Sequence, residues 1–274
     1  MFQRAFLPIL LFVFIGSLLA EETLQKPDLA QLYPTREAKE NALRTARIVK
    51  SKKLGVGVTN TLKLTLLDGT TEFNAVFKNV DIRKSGITQL KSGAEMDFKD
   101  CWQFDVAAYE LDKLLGLNMV PVTVERRYEG EKGMVQWWVP DAMTEGDRKE
   151  KGLIPPNVES WNDYLNKVRL FDNLVYNIDR NLGNLLITPD WRVWMIDHSR
   201  CFKNQEKLKA ERDITRFSMS MVIALKTLDE SKLKECCGKY LSSFEIRSML
   251  KRRDAIVQLY ERMYKDQGDS ILFP

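Results

Sequence analysis

The sequence predicts an α+β fold in two lobes, the first rich in strands and the second helical. Three observations carry this prediction. Apolar and polar residues alternate on both sides of Asp68-Gly69, a dipeptide suited to a tight hairpin. Between Phe98 and Leu115 the apolar spacing lengthens to a helical period. Beyond the polar, proline-bearing connector "GDRKEKGLIPP" the pattern is mainly helical.

Taken in order, the chain begins with "MFQRAFLPILLFVFIGSLLAEE", one arginine, an apolar run and small residues before an acidic pair. That layout predicts a secretory signal peptide over residues 1–20 with cleavage after Ala20, hence an exported body. The run is shorter than the roughly 20 residues a span needs. Membrane contact is expected only if this segment stays uncleaved. Residues 21–50 read as a polar helical leader, with "TREAKENALRTARIVK" rich in helix formers.

Residues 51–140 read as the first lobe. In "TLKLTLLDGTTEFNAVFK", Leu62, Leu64 and Leu66 share one face and Phe73, Ala75 and Phe77 another. Val76 and Lys78 point together to the opposite side. The helix carries Phe104, Ala107, Ala108, Leu111, Leu114 and Leu115 at helical spacing and stops at Gly116. "MVPVTVERR" and "GMVQWWVP" then give two strands.

Residues 141–274 read as the second lobe. An amphipathic helix with Tyr164, Val168, Phe171 and Val175 on one face runs into "NIDRNLGNLLI". "GNLLITPDWRVWMID" is a hairpin turned at Pro189-Asp190, and Ser242 with Glu245 forms a capping box for the last helix.

Composition narrows the function. The 274 residues are 44% hydrophobic and 29% charged, with a net charge of +4. That balance suits a globular protein and lacks the dense basic face of a nucleic-acid binder, so no nucleic-acid partner is expected. One histidine and no C-x-x-C argue against a zinc site. The even count of cysteines, Cys101, Cys201, Cys236 and Cys237, permits disulfides in an exported chain and leaves their pairing open.

A strand-rich lobe joined to a helical one makes a cleft, and polar residues surviving in apolar strands should line it. Lys78 closes "NAVFK", placed for a cation that contacts phosphate oxygens with a carboxylate from the following helix behind it. Asp105 and Glu110 both sit on that helix, and Asp105, before "VAAY", is the better placed to face inward. Asp179 and Asn184 have the D-x-x-x-x-N spacing of a phosphotransfer loop, in which the aspartate orients a hydroxyl and the asparagine binds metal. Asp197 follows "WMI" on the next strand, where a second metal ligand is required. Gly55 and Gly57 in "LGVGVTN" allow backbone amides to approach phosphates, or form an ordinary turn. Trp137, Trp138 and Val139 end the last strand of the first lobe, where they line an adenine slot or simply pack. Val76, on the face of Lys78, joins Trp138 as a candidate nucleotide contact.

The stretches "FDVAAYELDKLLGLNMVPVTVER", "FDNLVYNIDRNLGNLL" and "IDHSRCF" resemble the atypical kinase superfamily. That group includes Golgi secretory-pathway kinases, type II phosphatidylinositol 4-kinases and bacterial toxin kinases. Its N-x-D-R catalytic loop is matched by Asn177-Ile178-Asp179-Arg180, and the resemblance spans residues 55–202. It implies a two-lobed kinase-like fold. It also implies Lys78 on the nucleotide phosphates, Asp105 as its partner, Asp179 as catalytic base, and Asn184 and Asp197 as ligands for magnesium or manganese. Two departures stand out: the helix acid is Asp rather than Glu, and Asp197 is followed by His-Ser without an aromatic. The expected activity is metal-dependent transfer of the γ-phosphoryl of ATP, with nucleotide preference open, to a hydroxyl on a protein or glycan. The alternatives are a catalytically inactive kinase-like binding module or a lipid kinase.

Overall fold

The computed structural model describes residues 28–55, 61–90 and 93–273. The segment read as a signal peptide and Gly57 lie outside the described residues. After a single turn, α1 (Leu29–Leu32), comes α2 (Arg36–Thr45), whose Thr35 hydroxyl caps the Ala38 N–H at 3.1 Å. The helix expected to run on toward residue 50 ends at Thr45, and Arg47–Lys53 is a strand, β1. Arg126 closes the helix by donating to the Leu43 and Ala46 carbonyls, both at 2.7 Å. β1 is an edge strand exposed along nearly its whole length, so it carries no alternation for a sequence reading to detect.

β1 leads an antiparallel sheet of five strands in the order β1-β2-β3-β9-β8. Its other members are β2 (Leu62–Asp68), β3 (Thr71–Lys78), β8 (Thr123–Tyr128) and β9 (Glu131–Trp137). The β2–β3 register sets Leu62 against Phe77, Leu64 against Ala75 and Leu66 against Phe73. The two apolar rows expected on separate faces therefore form one face, and it joins Trp137, Leu43 and Ala42 in the core. On the other face Val76 pairs with Gln136, and Lys78 with Met134.

Between β3 and the helix α3 (Trp102–Leu115) the chain makes an excursion of short strands. β4 (Asp81–Arg83) pairs with β7 (Lys99–Cys101), and β5 (Ile87–Leu90) pairs with β6 (Gly93–Met96). These strands were not expected; three or four exposed residues give no usable period. α3 stops at Gly116, which adopts φ 67° and ψ 21°, a left-handed cap favoured by glycine. The fully buried Asp112 holds the turn that follows. Its carboxylate accepts from the Met119 and Val120 N–H groups at 2.8 and 3.1 Å and from Arg36 at 2.7 Å.

α2 is bound to α3 by a second carboxylate. Glu40 accepts from the Tyr109 hydroxyl at 2.8 Å, Lys113 at 3.0 Å and Arg44 at 3.0 Å. Burial works to raise its pKa, but these partners outweigh it and hold the carboxyl below the ordinary glutamate value. A group whose folded pKa is depressed adds stability that is present above its unfolded pKa and lost as pH falls. Glu40→Gln is therefore expected to flatten the loss of stability below about pH 4.5. Urea midpoints between neutral and acidic pH check this, and an unchanged slope would contradict it.

The second lobe starts with β10 (Met143–Thr144) and α4 (Glu145–Glu150), followed by the long α5 (Val158–Leu174). β10 pairs with β11 (Leu185–Ile187), and β11 with β12 (Val193–Met195). Three helices follow: α6 (Met219–Thr227), α7 (Glu230–Cys237) and α8 (Ser243–Gln267). Ser242 and Glu245 form the expected capping box of α8. Two short parallel strands, β13 (Phe217–Ser218) and β14 (Leu272–Phe273), fasten the C-terminal segment beside α6. The four cysteines are free thiols. Among the described residues no helix is long and apolar enough to cross a membrane.

Candidate active site

A cavity of about 520 Å³ opens between the polar face of the five-stranded sheet and the loops before β11 and after β12. Lys78, Asp179, Asn184 and Asp197 all line it. Each is delivered by a different local device.

Lys78 ends β3 and is nearly inaccessible, with its Nζ 3.4 Å from Asp105 Oδ2 and 2.6 Å from Asp197 Oδ1. Burial pulls the ammonium pKa down, but the Asp105 and Asp197 carboxylates overcome it and keep the lysine charged. Asp105 lies in the first turn of α3, fully buried, and its other oxygen accepts the His198 N–H at 2.6 Å. Burial drives its pKa up to about 6 against the pull of Lys78. Of the two helix carboxylates weighed from sequence, Asp105 reaches Lys78, whereas Glu110 pairs with Lys113 at 3.0 Å. Aspartate is one methylene shorter than glutamate, and the shorter of the two Lys78 contacts goes to Asp197.

Asp179 follows a turn built by Asn177, whose Oδ1 accepts the Asp179 N–H at 2.9 Å. Its carboxylate accepts no hydrogen bond among the described residues. Burial raises its pKa and Asp197 adds to the rise, while Arg200 opposes it. The group is thus more basic than an ordinary aspartate, which suits it to take or orient a hydroxyl proton. Asn184 donates its Nδ2 to the Asp179 carbonyl at 3.0 Å, a bond that fixes the amide and leaves Oδ1 as a free acceptor.

Asp197 adopts a left-handed conformation, φ 58°, sparsely populated by residues other than glycine. Its Oδ1 also accepts from Ser199 at 3.1 Å. Burial alone would raise its pKa, but Lys78 and Ser199 hold it below the ordinary range.

The frame around these groups rests on Arg180. Its guanidinium is paired to Asp172 at 2.9 Å and donates to the Asn184 carbonyl at 2.7 Å, the Ile196 carbonyl at 2.9 Å and His198 Nε2 at 3.0 Å. One side chain thus ties the Asp179 loop to the strand end that carries Asp197. His198 must accept at Nε2, and burial followed by the Arg180 charge holds its pKa well below the ordinary histidine value. It is a neutral brace. Two further links lock the halves together: Met195 N–H donates to the Met119 carbonyl at 2.7 Å, and Cys101 N–H to the Ser199 carbonyl at 2.9 Å.

Other sequence candidates are placed as follows. Gly55, at φ 64°, stands just beyond β1 and is not among the residues that line the cavity, whereas Leu54 beside it is. Val76 and Trp138 both line the cavity, with Lys63 Nζ 4.1 Å above the Trp138 ring. Trp137 and Val139 line the cavity as well, and the Trp137 ring stacks on Phe73 in the core, ring centroids 4.7 Å apart. Sequence reasoning missed Asp100, Gln136 and Arg200, which also line the cavity. Asp100 lies on the unexpected strand β7 beside the start of α3. Arg200 pairs with Glu95 of the excursion and lies over the Phe98 ring at 4.5 Å. Arg200 lies in "IDHSRCF" and Gln136 in "GMVQWWVP", but no spacing within either stretch marks them, or Asp100, as site residues.

The residues present fit a hard divalent cation. Asn184 Oδ1 and the unpaired side of the Asp197 carboxylate are oxygen donors, and two protein oxygens leave positions for phosphate oxygens, as magnesium requires.

The arrangement of a five-stranded sheet with one helix, a lysine-bearing third strand and an Asp/Asn loop defines a kinase-like class. The chain has a two-lobed kinase-like fold, shared with the solved structures that follow. The structure of hydra Fam20 with sugar matches with a TM-score of 0.64 at 16% identity, covering 90% of this chain and 93% of that one. The Golgi casein kinase matches with a TM-score of 0.60 at 14% identity, covering 86% and 77%. The Helicobacter pylori proinflammatory kinase CtkA matches with a TM-score of 0.52 at 12% identity, covering 82% and 98%. In sequence, Protein Rv2133c of Mycobacterium tuberculosis is 25% identical over 189 residues, covering 56% of this chain and 67% of that protein. No protein-family model matches.

Proposed function

We propose that this protein is an exported kinase that transfers the γ-phosphoryl group of a nucleotide to a hydroxyl of a protein or glycan. The observation that carries this reading is the convergence of Lys78, Asp179, Asn184 and Asp197 on one cavity. Residues 51–140 form the nucleotide-binding lobe in this reading, and residues 141–274 the lobe of the catalytic loop. Lys78 binds phosphate oxygens and is kept charged by Asp105. Asp179 accepts or orients the proton of the attacking hydroxyl. Asn184 and Asp197 hold magnesium or manganese, which supplies neutralisation of the charge spread over the phosphoryl oxygens. Arg180 acts through others, keeping Asp179 and Asp197 in register. Catalysis of this kind is positioning and electrostatics, so a cavity whose charged groups are fixed before substrate arrives is the relevant feature. Export is supported by the signal-peptide pattern at the N-terminus, and a protein or glycan acceptor by the likeness to a casein kinase and to a Fam20 protein solved with sugar.

The test is transfer of radiolabelled γ-phosphate by the purified chain, with magnesium or manganese, onto pooled protein, glycan and lipid fractions. The reading expects label in the protein or glycan fraction and none with Asp179→Ala. Label in the lipid fraction alone would make it a lipid kinase. Absence of transfer with retained nucleotide binding would make it a binding module.

A further inference from the structure

The wall of the cavity away from the phosphate-binding groups holds a buried polar side chain, Gln136. Gln136 lies on β9, opposite Val76 of β3 on one side and Thr123 of β8 on the other, and is 4% exposed. An amide in that position presents either a donor or an acceptor to whatever fills the cavity, and its neighbours decide which.

The Thr123 hydroxyl lies 2.8 Å from the Pro121 carbonyl and 2.9 Å from Gln136 Nε2. A carbonyl oxygen only accepts, so the single hydroxyl proton must be spent on Pro121. If it turned toward Gln136 instead, two oxygens would face each other at 2.8 Å with no proton between them. The threonine oxygen is therefore an acceptor toward Gln136, and the group meeting it must be the NH₂. The amide is fixed by a residue outside the cavity. Its Oε1 accepts no hydrogen bond among the described residues and belongs to a side chain that lines the cavity.

We infer that Gln136 is the nucleobase-selecting residue: its fixed Oε1 accepts from an exocyclic amine at the six position of a purine and disfavours a six-oxo group. The inference rests on the kinase reading above. Three further features suit a base at this place. Val76 from the sheet and Leu186 from β11 supply apolar surfaces on the two walls, and the Trp138 side chain borders the same space. Lys78 is two residues along β3 from Val76, so the phosphate-binding lysine and the selecting amide are about 7 Å apart along the strand, on one face. A purine triphosphate that puts its phosphates at Lys78 thus has its base in the region of Gln136. An adenine amine then satisfies the unpaired acceptor, whereas the six-oxo group of guanine or hypoxanthine sets oxygen against oxygen, the kind of mismatch a polar site rejects strongly.

ATP and ITP differ at the six position and its adjoining ring proton, and ITP lacks the extra two-amino group of GTP. The test is the ratio of kcat/KM for these two nucleotides in phosphotransfer or autophosphorylation, supported by nucleotide-binding thermal shifts. Wild-type protein is expected to favour ATP over ITP by about tenfold or more. Gln136→Met removes the acceptor at similar length and is expected to bring the ratio to within about threefold of unity. Thr123→Val leaves the glutamine in place but frees its amide to rotate, and is expected to reduce the ratio in the same direction. This second variant keeps the test informative if Gln136→Met does not fold. Equal use of ATP and ITP by wild-type protein, or a wild-type ratio retained in both variants, would overturn the assignment while leaving the kinase reading standing. Failure to bind or use either nucleotide would overturn both.

Discussion

Asp197→Asn is expected to lower phosphotransfer by about a thousandfold or more while the protein stays folded. The substitution keeps the shape of the side chain and removes its charge. Lys78 retains Asp105 at 3.4 Å, so the ammonium is not left buried without a partner, and the packing of α3 is undisturbed. What is lost is the carboxylate oxygen facing the cavity, the one anionic member of the proposed metal pair. The contrast is with an exposed pair such as Lys234–Glu230, 2.6 Å apart with both side chains about half exposed, where Glu230→Gln should leave the rate unchanged. Initial rates at saturating nucleotide, paired with melting temperatures, separate the two effects. A variant retaining more than about a tenth of wild-type turnover would show that Asp197 does not act in the transition state.

The largest effect on stability is expected from Arg252→Met. This arginine of α8 is fully buried and pairs with no carboxylate among the described residues. Its guanidinium donates to the Leu174 carbonyl at 2.8 Å, the Lys203 carbonyl at 3.2 Å and the Gln205 carbonyl. It also lies 5.5 Å from the centre of the Tyr176 ring. Burial without a counter-ion pushes its pKa down to about 10, yet it remains charged at neutral pH. The side chain ties α8 to the end of α5 and to the segment that follows the Asp197 strand. Methionine fills similar volume but leaves three carbonyls unpaired, at roughly 1–3 kcal/mol each before any hydration of the gap. A loss of about 3 kcal/mol or more is expected, which for a chain of this size is roughly 6–12 °C in Tm. Arg252→Lys, which supplies one donor group in place of a fork, should fall between. Chemical denaturation checks the magnitude, and a change under about 1 kcal/mol would mean the carbonyls find other partners.

Elements with a strong local period were legible in the sequence. The hairpin at Asp68-Gly69, the helix ending at Gly116 and the capped α8 each announce themselves through spacing or through a residue that a turn or cap requires. The excursion between β3 and α3 and the edge strand β1 were not legible, because the strands are short or mostly exposed and nothing in their order distinguishes them from loop. The assembly of the site divides in the same way. Asp179 and Asn184 lie five positions apart in one loop, and their relation is written in that interval. Lys78 and Asp105 are 27 positions apart, and Lys78 and Asp197 119 apart, so their contacts depend on sheet register and on the seating of α3. Gln136 and Arg200 stand in no motif at all. Their significance appears only once Thr123 or Glu95 is seen beside them.

A crystal structure of the protein with a non-hydrolysable ATP analogue and manganese tests the central claim most directly. The account predicts metal density touching Asn184 Oδ1 and the Asp197 carboxylate, with Lys78 Nζ on a phosphate oxygen and the Asp179 carboxylate open toward the γ-phosphate. A nucleotide seated outside this cavity, or a metal held by neither Asn184 nor Asp197, would contradict it.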